Sequence, residues 1–178
     1  AQIVDIFRAL NLGRLFTSFE AFAEKLDPQS FSELYLQVIQ YPDPKELNDA
    51  LLKLPEKGEY AYLITWAKKL NEIYPGDPAI ISPLLMNLIK LRPYEAIYLD
   101  AGVIHAYLEG SGIEIMASGD NVLRAGLTSK HIDIPKLCEI MTFAPYMPDI
   151  QTAPRDDDYL HGYQSEANDF KLYHLKLN

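Results

Sequence analysis

Residues 100–108 read DAGVIHAYL, and this stretch decides the fold prediction for the 178-residue chain. Its first three residues form a turn signal, because glycine adopts the backbone conformations that tight turns require. The apolar residues 96–99 precede the turn, and His105 opens the next apolar run. The pattern predicts a histidine between two short β-strands, where a rigid wall would present it as a metal ligand.

The same alternation of short apolar runs and glycine-bearing breaks continues along the chain. Several short strands at this spacing indicate an all-β sandwich or barrel. Residues 92–95, RPYE, form a further turn signal before the first of them. The candidate strands are residues 96–99, 105–108, 113–116, 122–123 and 170–177.

Residues 1–74 have a different pattern, in which apolar side chains recur at spacings of three and four, as in amphipathic helices. A capping box at residues 30–33 and an Asp-Pro pair at 43–44 predict two helix starts. A third helix is predicted to end at the Pro-Gly pair 75–76. This half contains no histidine, and we interpret it as a helical support. One more short helix is predicted over residues 135–142.

Charge and composition exclude several classes of protein. The formal net charge of −9 at pH 7 argues against non-specific binding to nucleic acid or to a membrane surface. No apolar stretch approaches the roughly 20 residues that span a bilayer. The single cysteine, Cys138, excludes an intrachain disulfide, and its apolar neighbours predict a buried thiol in a protein of the reducing cytoplasm. The chain begins at Ala1, so we expect a trimmed protein or a fragment.

Six motifs in the same order resemble the type I phosphomannose isomerases, zinc enzymes of the cupin superfamily. The matching segments are YPGD at 74–77, EAIYL at 95–99, AG at 101–102, HAYL at 105–108, EIMA at 114–117 and DNVLRAGLT at 120–128. The resemblance implies an α+β protein with a cupin-like jelly-roll β-barrel portion and a helical domain before it. The implied domains are a helical domain at 1–78, a barrel portion with active-site strands at 79–144, and a linker with the start of a second barrel at 145–178.

The resemblance also implies an activity, the interconversion of mannose 6-phosphate and fructose 6-phosphate through an enediol intermediate in a zinc site. By motif position, His105 is a zinc ligand, and Arg124, Glu114 and Lys130 are catalytic residues. Tyr107 is a candidate for the wall of the sugar pocket. We expect a small sugar phosphate as the partner, no nucleic acid or membrane, and a monomeric cytoplasmic protein.

The residues taken alone leave other interpretations open. His105 could pack in a strand with a backbone partner, and Arg124 could pair with Asp120 at the surface, where ion pairs contribute little. Glu114 alternates with two isoleucines and would face away from the layer that they cover, or simply face solvent. Lys130 follows a turn, where most lysines are solvated.

The chain also departs from the family. Tyr94 takes the place of the glycine in a Pro-Gly-Glu turn at 93–95. The Gln-x-His pair and the glutamate that the family supplies to zinc are not found, and a catalytic zinc usually has three protein ligands. We therefore expect the isolated chain to be weakly active or inactive. A non-catalytic cupin that binds a sugar or sugar phosphate and an interaction module built on the helical half remain alternatives.

Overall fold

The computed structural model describes residues 1–119, 122–152 and 159–177. It contains helices and a small antiparallel sheet, as the predicted α+β class requires. Within the described ranges, no helix has the length and apolar character needed to cross a membrane.

The chain divides into two compact units, and both are discontinuous in sequence. The first unit comprises Ala1–Leu88 and Leu123–Pro145, and the second comprises Ile89–Val122 and Tyr146–Asn178. All of the described helices lie in the first unit, and the two-stranded sheet lies in the second. The helices are α1 (Gln2–Ala9), α2 (Phe19–Lys25), α3 (Pro28–Ile39), α4 (Pro44–Leu52), α5 (Ala61–Ile73), α6 (Ser82–Leu85) and α7 (Ile134–Ile140), with 3₁₀ turns at Gly13–Leu15 and Pro78–Ile81.

The helical half confirms the prediction from periodicity, and one predicted helix start is wrong. Helix α4 begins where expected, with the Asp43 side chain accepting from the backbone N of Glu46 at 3.0 Å. Helix α3 begins three residues earlier than the capping box at Ser30 predicted. Asp27 is its cap, accepting from the backbone N of Ser30 at 2.7 Å, and proline occupies the first helical position. An aspartate followed by proline is the stronger start signal because it provides both an acceptor and a fixed φ.

The core of the first unit consists of apolar side chains from most of its helices. Phe7 of α1 stacks on Phe19 of α2, with ring centroids 5.6 Å apart. Full burial of such side chains contributes about 1.5–3 kcal/mol each to the free energy of unfolding. The fully buried side chains include Phe7, Phe19, Leu34, Tyr35, Leu47, Leu51, Ile64, Ile80 and Leu84.

Few backbone segments pair as β-strands among the described residues of the second unit. Strands β1 (Leu160–Gly162) and β2 (Tyr173–Leu175) pair in antiparallel register, with His161 opposite His174. Ala96 and Gln151 form an isolated bridge through two backbone hydrogen bonds of 3.2 and 2.9 Å. Strand β2 confirms the last predicted strand in narrower bounds.

The other predicted strands are not formed as paired strands. Residues 96–99 contribute only the bridge at Ala96, and residues 105–108, 113–116 and 122–123 do not form strands. An apolar run becomes a strand only when a neighbour accepts and donates its backbone hydrogen bonds, and the described residues supply no such neighbour. The predicted barrel is therefore not seen in this part of the chain.

The turn at residues 92–95 forms although its third residue is tyrosine. The backbone N of Glu95 donates to the carbonyl of Arg92 at 3.0 Å, and Tyr94 has φ = 65°. Glycine is favoured in this left-handed region. Two hydrogen bonds hold the tyrosine there: the Glu95 carboxylate accepts from the Arg92 backbone N at 2.7 Å, and Tyr163 Oη donates to the Tyr94 carbonyl at 2.7 Å.

The predicted burial of Cys138 is wrong. Its thiol belongs to an exposed residue of α7, whereas the neighbouring Leu137 is 3% exposed. Adjacent positions on a helix point about 100° apart, so burial of Leu137 does not by itself bring Cys138 into the core. Apolar neighbours in sequence therefore do not guarantee burial on so short a helix.

Gly126 lies so close to Ala79 of the 3₁₀ turn Pro78–Ile81 that a side chain has no room. A Cβ atom there would overlap the Cβ of Ala79, and φ is +135°. We predict that Gly126→Ala lowers the free energy of unfolding by about 1–3 kcal/mol because it combines overpacking with an unfavourable φ. The measurement is urea unfolding followed by circular dichroism.

Gly58→Ala is the matched control for Gly126→Ala. Gly58 also has a positive φ, of +81°, but open space surrounds its Cβ position. The loss of unfolding free energy in Gly58→Ala therefore reports the cost of the backbone conformation alone. Equal losses for the two variants would contradict an overlap at Gly126.

Candidate functional site

His105 follows a backbone turn of the kind that the sequence predicted. The backbone N of Val103 donates to the carbonyl of Asp100 at 3.2 Å, and Gly102 at the third position has φ = 84°. A positive φ at that position is what a type II turn requires, and glycine adopts it without strain. The turn places His105 two residues beyond its end.

The contacts of the His105 ring determine where its proton lies. Nδ1 is 3.0 Å from the carbonyl oxygen of Val103. A carbonyl oxygen can only accept, so Nδ1 carries the hydrogen. In the neutral ring, Nε2 then has a lone pair available for a proton or a metal ion, an arrangement found in many metal-binding histidines.

Glu114 and Tyr107 lie next to this ring. Glu114 Oε1 is 3.6 Å from His105 Nε2, and both side chains are about half exposed. The Tyr107 ring meets the His105 ring edge to face, with centroids 6.3 Å apart. Partial desolvation raises the pKa of Tyr107, and its hydrogen bond to Glu114 and the charge of that carboxylate raise the pKa further.

These three side chains form a cluster, which we call the His105 cluster (His105, Tyr107 and Glu114). The Glu114 carboxylate is placed between a phenol that donates to it and an imidazole nitrogen with a lone pair. A proton or a cation between Glu114 and Nε2 would stabilise both, because each is electron-rich. A carboxylate that is open to solvent and bonded in this way can accept or release a proton from a bound molecule.

The His105 cluster does not by itself make a metal site. Throughout the described ranges there is no group of three or more His, Cys, Asp or Glu side chains that could surround a metal ion. A catalytic zinc usually has three protein ligands. The donor set described here is therefore suited to contribute a ligand but does not fit a complete zinc site.

Arg124 and Lys130 belong to the first unit, whereas the His105 cluster belongs to the second. Both cationic residues are exposed. The backbone N of Lys130 donates to Thr128 Oγ1 at 3.1 Å. For Arg124, the described residues provide neither a side-chain hydrogen bond nor an ion pair, and the alternative partner Asp120 lies outside them. The structure thus brings three predicted site residues together and leaves the other two on a separate segment.

The isoleucines on either side of Glu114 would set its direction only if they covered a layer behind a sheet, and they are not buried among the described residues. Ile113 is 82% exposed and Ile115 is 38% exposed. No described residue packs over them sufficiently to bury either side chain. Alternation in sequence gives opposite faces only when a sheet is present to define them.

Sequence reasoning did not single out two residues that contact the segment carrying Arg124 and Lys130. Tyr35 Oη donates to the carbonyl of Ala125 at 3.0 Å, and Asp77 Oδ2 accepts from the backbone N of Thr128 at 3.1 Å. Asp77 lies in the YPGD motif, and its position before a proline was the one available signal. No local signal marked Tyr35, which sits 90 residues from its partner.

Comparison with known proteins gives one consistent result. The chain is 51% identical to mannose-6-phosphate isomerase from Salmonella typhimurium over 125 residues, which are 70% of this chain and 32% of that protein. It is 40% identical to the Escherichia coli enzyme over 123 residues, 68% of this chain and 32% of that one. The chain is homologous to the mannose-6-phosphate isomerases. No protein-family model matches it.

The fold comparison extends this homology to nearly the whole chain. The crystal structure of apo mannose 6-phosphate isomerase from Salmonella typhimurium matches with a TM-score of 0.77 and 31% identity. The match covers 97% of this chain and 44% of the solved chain. This chain therefore spans about a third of the length of the curated mannose-6-phosphate isomerases it matches and under half of the solved one.

The contact between Tyr107 and Glu114 gives a pH-dependent prediction. We expect Glu114→Gln to lower the pKa of Tyr107, because it removes the negative charge that opposes ionisation of the phenol. The phenol should remain above its usual pKa because partial desolvation persists. The measurement is an NMR titration of ring-labelled tyrosine, with the Tyr107 signal assigned from Tyr107→Phe.

Tyr98 provides an internal control in the same titration. Its pKa is raised by desolvation and by Asp100, and Glu114 is not among the causes. The Tyr98 signal should titrate identically in both proteins. An unchanged Tyr107 titration in Glu114→Gln would show that the carboxylate does not act on this phenol.

Proposed function

We propose that this chain supplies part of the active site of a mannose-6-phosphate isomerase, which interconverts mannose 6-phosphate and fructose 6-phosphate through an enediol intermediate. The observation that carries the proposal is the 51% identity over 125 residues to a protein of that name. A similar fold alone would not support the proposed function, because one fold hosts many functions. The site residues proposed below are those that the motifs indicated.

Arg124 is proposed to stabilise negative charge as the reaction proceeds. Moving a proton between neighbouring sugar carbons creates an enediolate, whose charge a fixed guanidinium can balance. The side chain of Arg124 is exposed, as the side chain of a residue that meets a ligand from solution must be. Lys130, six residues later, would add a second positive charge for the anionic substrate.

Glu114 is proposed to hold and move protons in the same reaction. Its hydrogen bond from Tyr107 and its position 3.6 Å from His105 Nε2 orient the carboxylate. A carboxylate held in this way can act as a general acid or base toward a sugar hydroxyl. Tyr107 is 76% exposed, and we propose that its ring lines the sugar pocket.

His105 is proposed as the one metal ligand that this segment contributes. A zinc ion would polarise the sugar oxygens when bound, but a complete site would need ligands that the described residues do not supply. No role given above to Arg124, Lys130, Glu114 or Tyr107 depends on the ion. We propose that the complete enzyme supplies the other zinc ligands and forms the cupin-like barrel. We also propose for it the division into a helical domain at 1–78, a barrel portion at 79–144 and a linker with the start of a second barrel at 145–178.

The exposed apolar side chains of the second unit support the barrel proposal. Ile113 is 82% exposed and Met116 is 56% exposed. In a barrel, neighbouring strands would pair the backbone groups of this segment, and the facing wall or an outer layer would cover such side chains. A cytoplasmic, monomeric enzyme remains our prediction for the complete protein.

Replacement of Arg124 tests the proposed function. In the complete gene product, we expect Arg124→Ala to lower kcat/KM for mannose 6-phosphate about 100-fold or more, because a preorganised positive charge is lost at the developing anion. Arg124→Lys should recover part of the activity, since it keeps the charge but not the planar guanidinium. The measurement is a coupled assay of fructose 6-phosphate formation.

Arg8→Ala is the control, because Arg8 is another exposed arginine of the first unit, 3.6 Å from Glu20. It should leave kcat/KM unchanged. Binding of the sugar phosphate without any isomerisation by the complete protein would favour the non-catalytic alternative. Full activity in Arg124→Ala would contradict the role proposed for this residue.

The isolated 178-residue chain provides a second test. We expect it to bind well under one equivalent of zinc and to isomerise mannose 6-phosphate slowly or not at all, because three protein ligands are the norm. Metal analysis by atomic absorption and the same coupled assay measure both quantities. One tightly bound zinc per chain with full turnover would overturn the expectation.

A further inference from the structure

The segment between Arg124 and Lys130 contains two consecutive residues with positive φ. Gly126 has φ = +135° and Leu127 has φ = 52°. Leucine in the left-handed region carries a steric cost that glycine avoids. Such a conformation persists only when the surrounding structure determines it.

Tyr35 holds the residue immediately before this strained pair. Its hydroxyl donates to the carbonyl of Ala125 at 3.0 Å, and the residue is 2% exposed on helix α3. The rings of Phe31 and Phe143 lie 6.4 and 6.0 Å from the Tyr35 ring, centroid to centroid. The surrounding side chains fix the Tyr35 ring, and the ring fixes the position of its hydroxyl.

Asp77 holds the residue after the strained pair. Its Oδ1 accepts from the backbone N of Ala79 at 2.8 Å, and its Oδ2 accepts from the backbone N of Thr128 at 3.1 Å. The first bond fixes the carboxylate at the start of the 3₁₀ turn, in which Ala79, Ile80 and Ile81 are buried. The second bond holds Thr128, and with it the segment 124–130, next to this fixed carboxylate.

A third contact presses the segment against the same turn. Gly126 approaches Ala79 so closely that a Cβ on the glycine would overlap that of the alanine. The backbone N of Lys130 is in turn bonded to Thr128 Oγ1 at 3.1 Å. The order that Asp77 imposes on Thr128 thus extends to the backbone of Lys130.

We propose that Asp77 and Tyr35 are positioning residues for the isomerase reaction, which they serve by holding the strained Gly126–Leu127 turn and so fixing where Arg124 and Lys130 present their charges. The inference rests on the proposed function and deepens it. Tyr35 bonds to Ala125, the residue next to Arg124, so the backbone from which the Arg124 side chain extends is held on one side. Misplacement of a charged group by about 1 Å can cost about 100-fold in rate.

Asp77→Asn tests this role in the complete enzyme. Ala79 N and Thr128 N donate to different oxygens of the Asp77 carboxylate, so the amide NH2 of asparagine would face one of these donors in place of an acceptor. We expect kcat/KM for mannose 6-phosphate to fall about 10- to 100-fold. Asp43→Asn is the matched control, because the Asp43 carboxylate likewise accepts from a backbone N at a helix start, that of Glu46 in α4.

A double-mutant cycle separates positioning from general damage to the fold. If Asp77 acts through Arg124, Asp77→Asn should cost less than about threefold when Arg124→Ala is already present. An equal loss in both backgrounds would overturn the proposal, as would a loss in Asp77→Asn no larger than in Asp43→Asn. If Arg124→Ala itself had no effect, the proposed function of Arg124 would fail instead, so the two failures are distinguishable.

If Asp77→Asn does not fold, Tyr35→Phe tests the same proposal. This variant removes one hydroxyl and leaves the buried ring in place. We expect a several-fold loss of kcat/KM that again shrinks in the Arg124→Ala background. Activity equal to that of the unaltered enzyme would overturn the role of Tyr35.

Discussion

The carboxylate of Asp77 accepts hydrogen bonds from two backbone groups that belong to distant parts of the chain. Ala79 N lies in the following turn, and Thr128 N lies 51 residues away from Asp77 in sequence. The first unit is made of two sequence segments, so its second segment depends on side-chain links of this kind. Tyr35 adds a parallel link through Ala125. Together these bonds connect a well-packed helical core to the segment that carries Arg124 and Lys130.

The second unit uses a different way of fixing side chains. The His105 cluster is organised by short-range contacts: a turn at Gly102, a backbone carbonyl on Nδ1, and a carboxylate shared with Tyr107. These groups are half exposed or more. The cluster therefore defines proton positions well but is only weakly desolvated, and a bound molecule would have to exclude water to strengthen its interactions.

Sequence reasoning succeeded where the determining interactions are local. Helix α4 follows from Asp43 and Pro44, and α5 follows from its apolar stripe, because capping and periodicity act within a few residues. The start of α3 was misplaced only because Asp27 outcompetes Ser30 as a cap. The motifs likewise brought His105, Tyr107 and Glu114 into one prediction, and the structure places them together.

The sequence could not predict what depends on distant partners. Strand formation at residues 105–108 and 113–116 requires neighbours that hydrogen-bond to them, and a local apolar pattern does not supply those neighbours. The exposure of Cys138 depends on which face of α7 packs inward. The bonds from Tyr35 and Asp77 span 90 and 51 residues, beyond the reach of any local signal.

The interrupted sequence of the first unit has a consequence for how the protein folds during synthesis. Residues 89–122 emerge from the ribosome after Ala1–Leu88 and before Leu123–Pro145. Helices α1–α6 can therefore pack early, before the chain contains α7 or the groups that bond to Asp77 Oδ2 and to the Tyr35 hydroxyl. Closing such a long loop costs entropy and slows the final step. The first unit can therefore finish packing only after the segment that carries Arg124 has been synthesised.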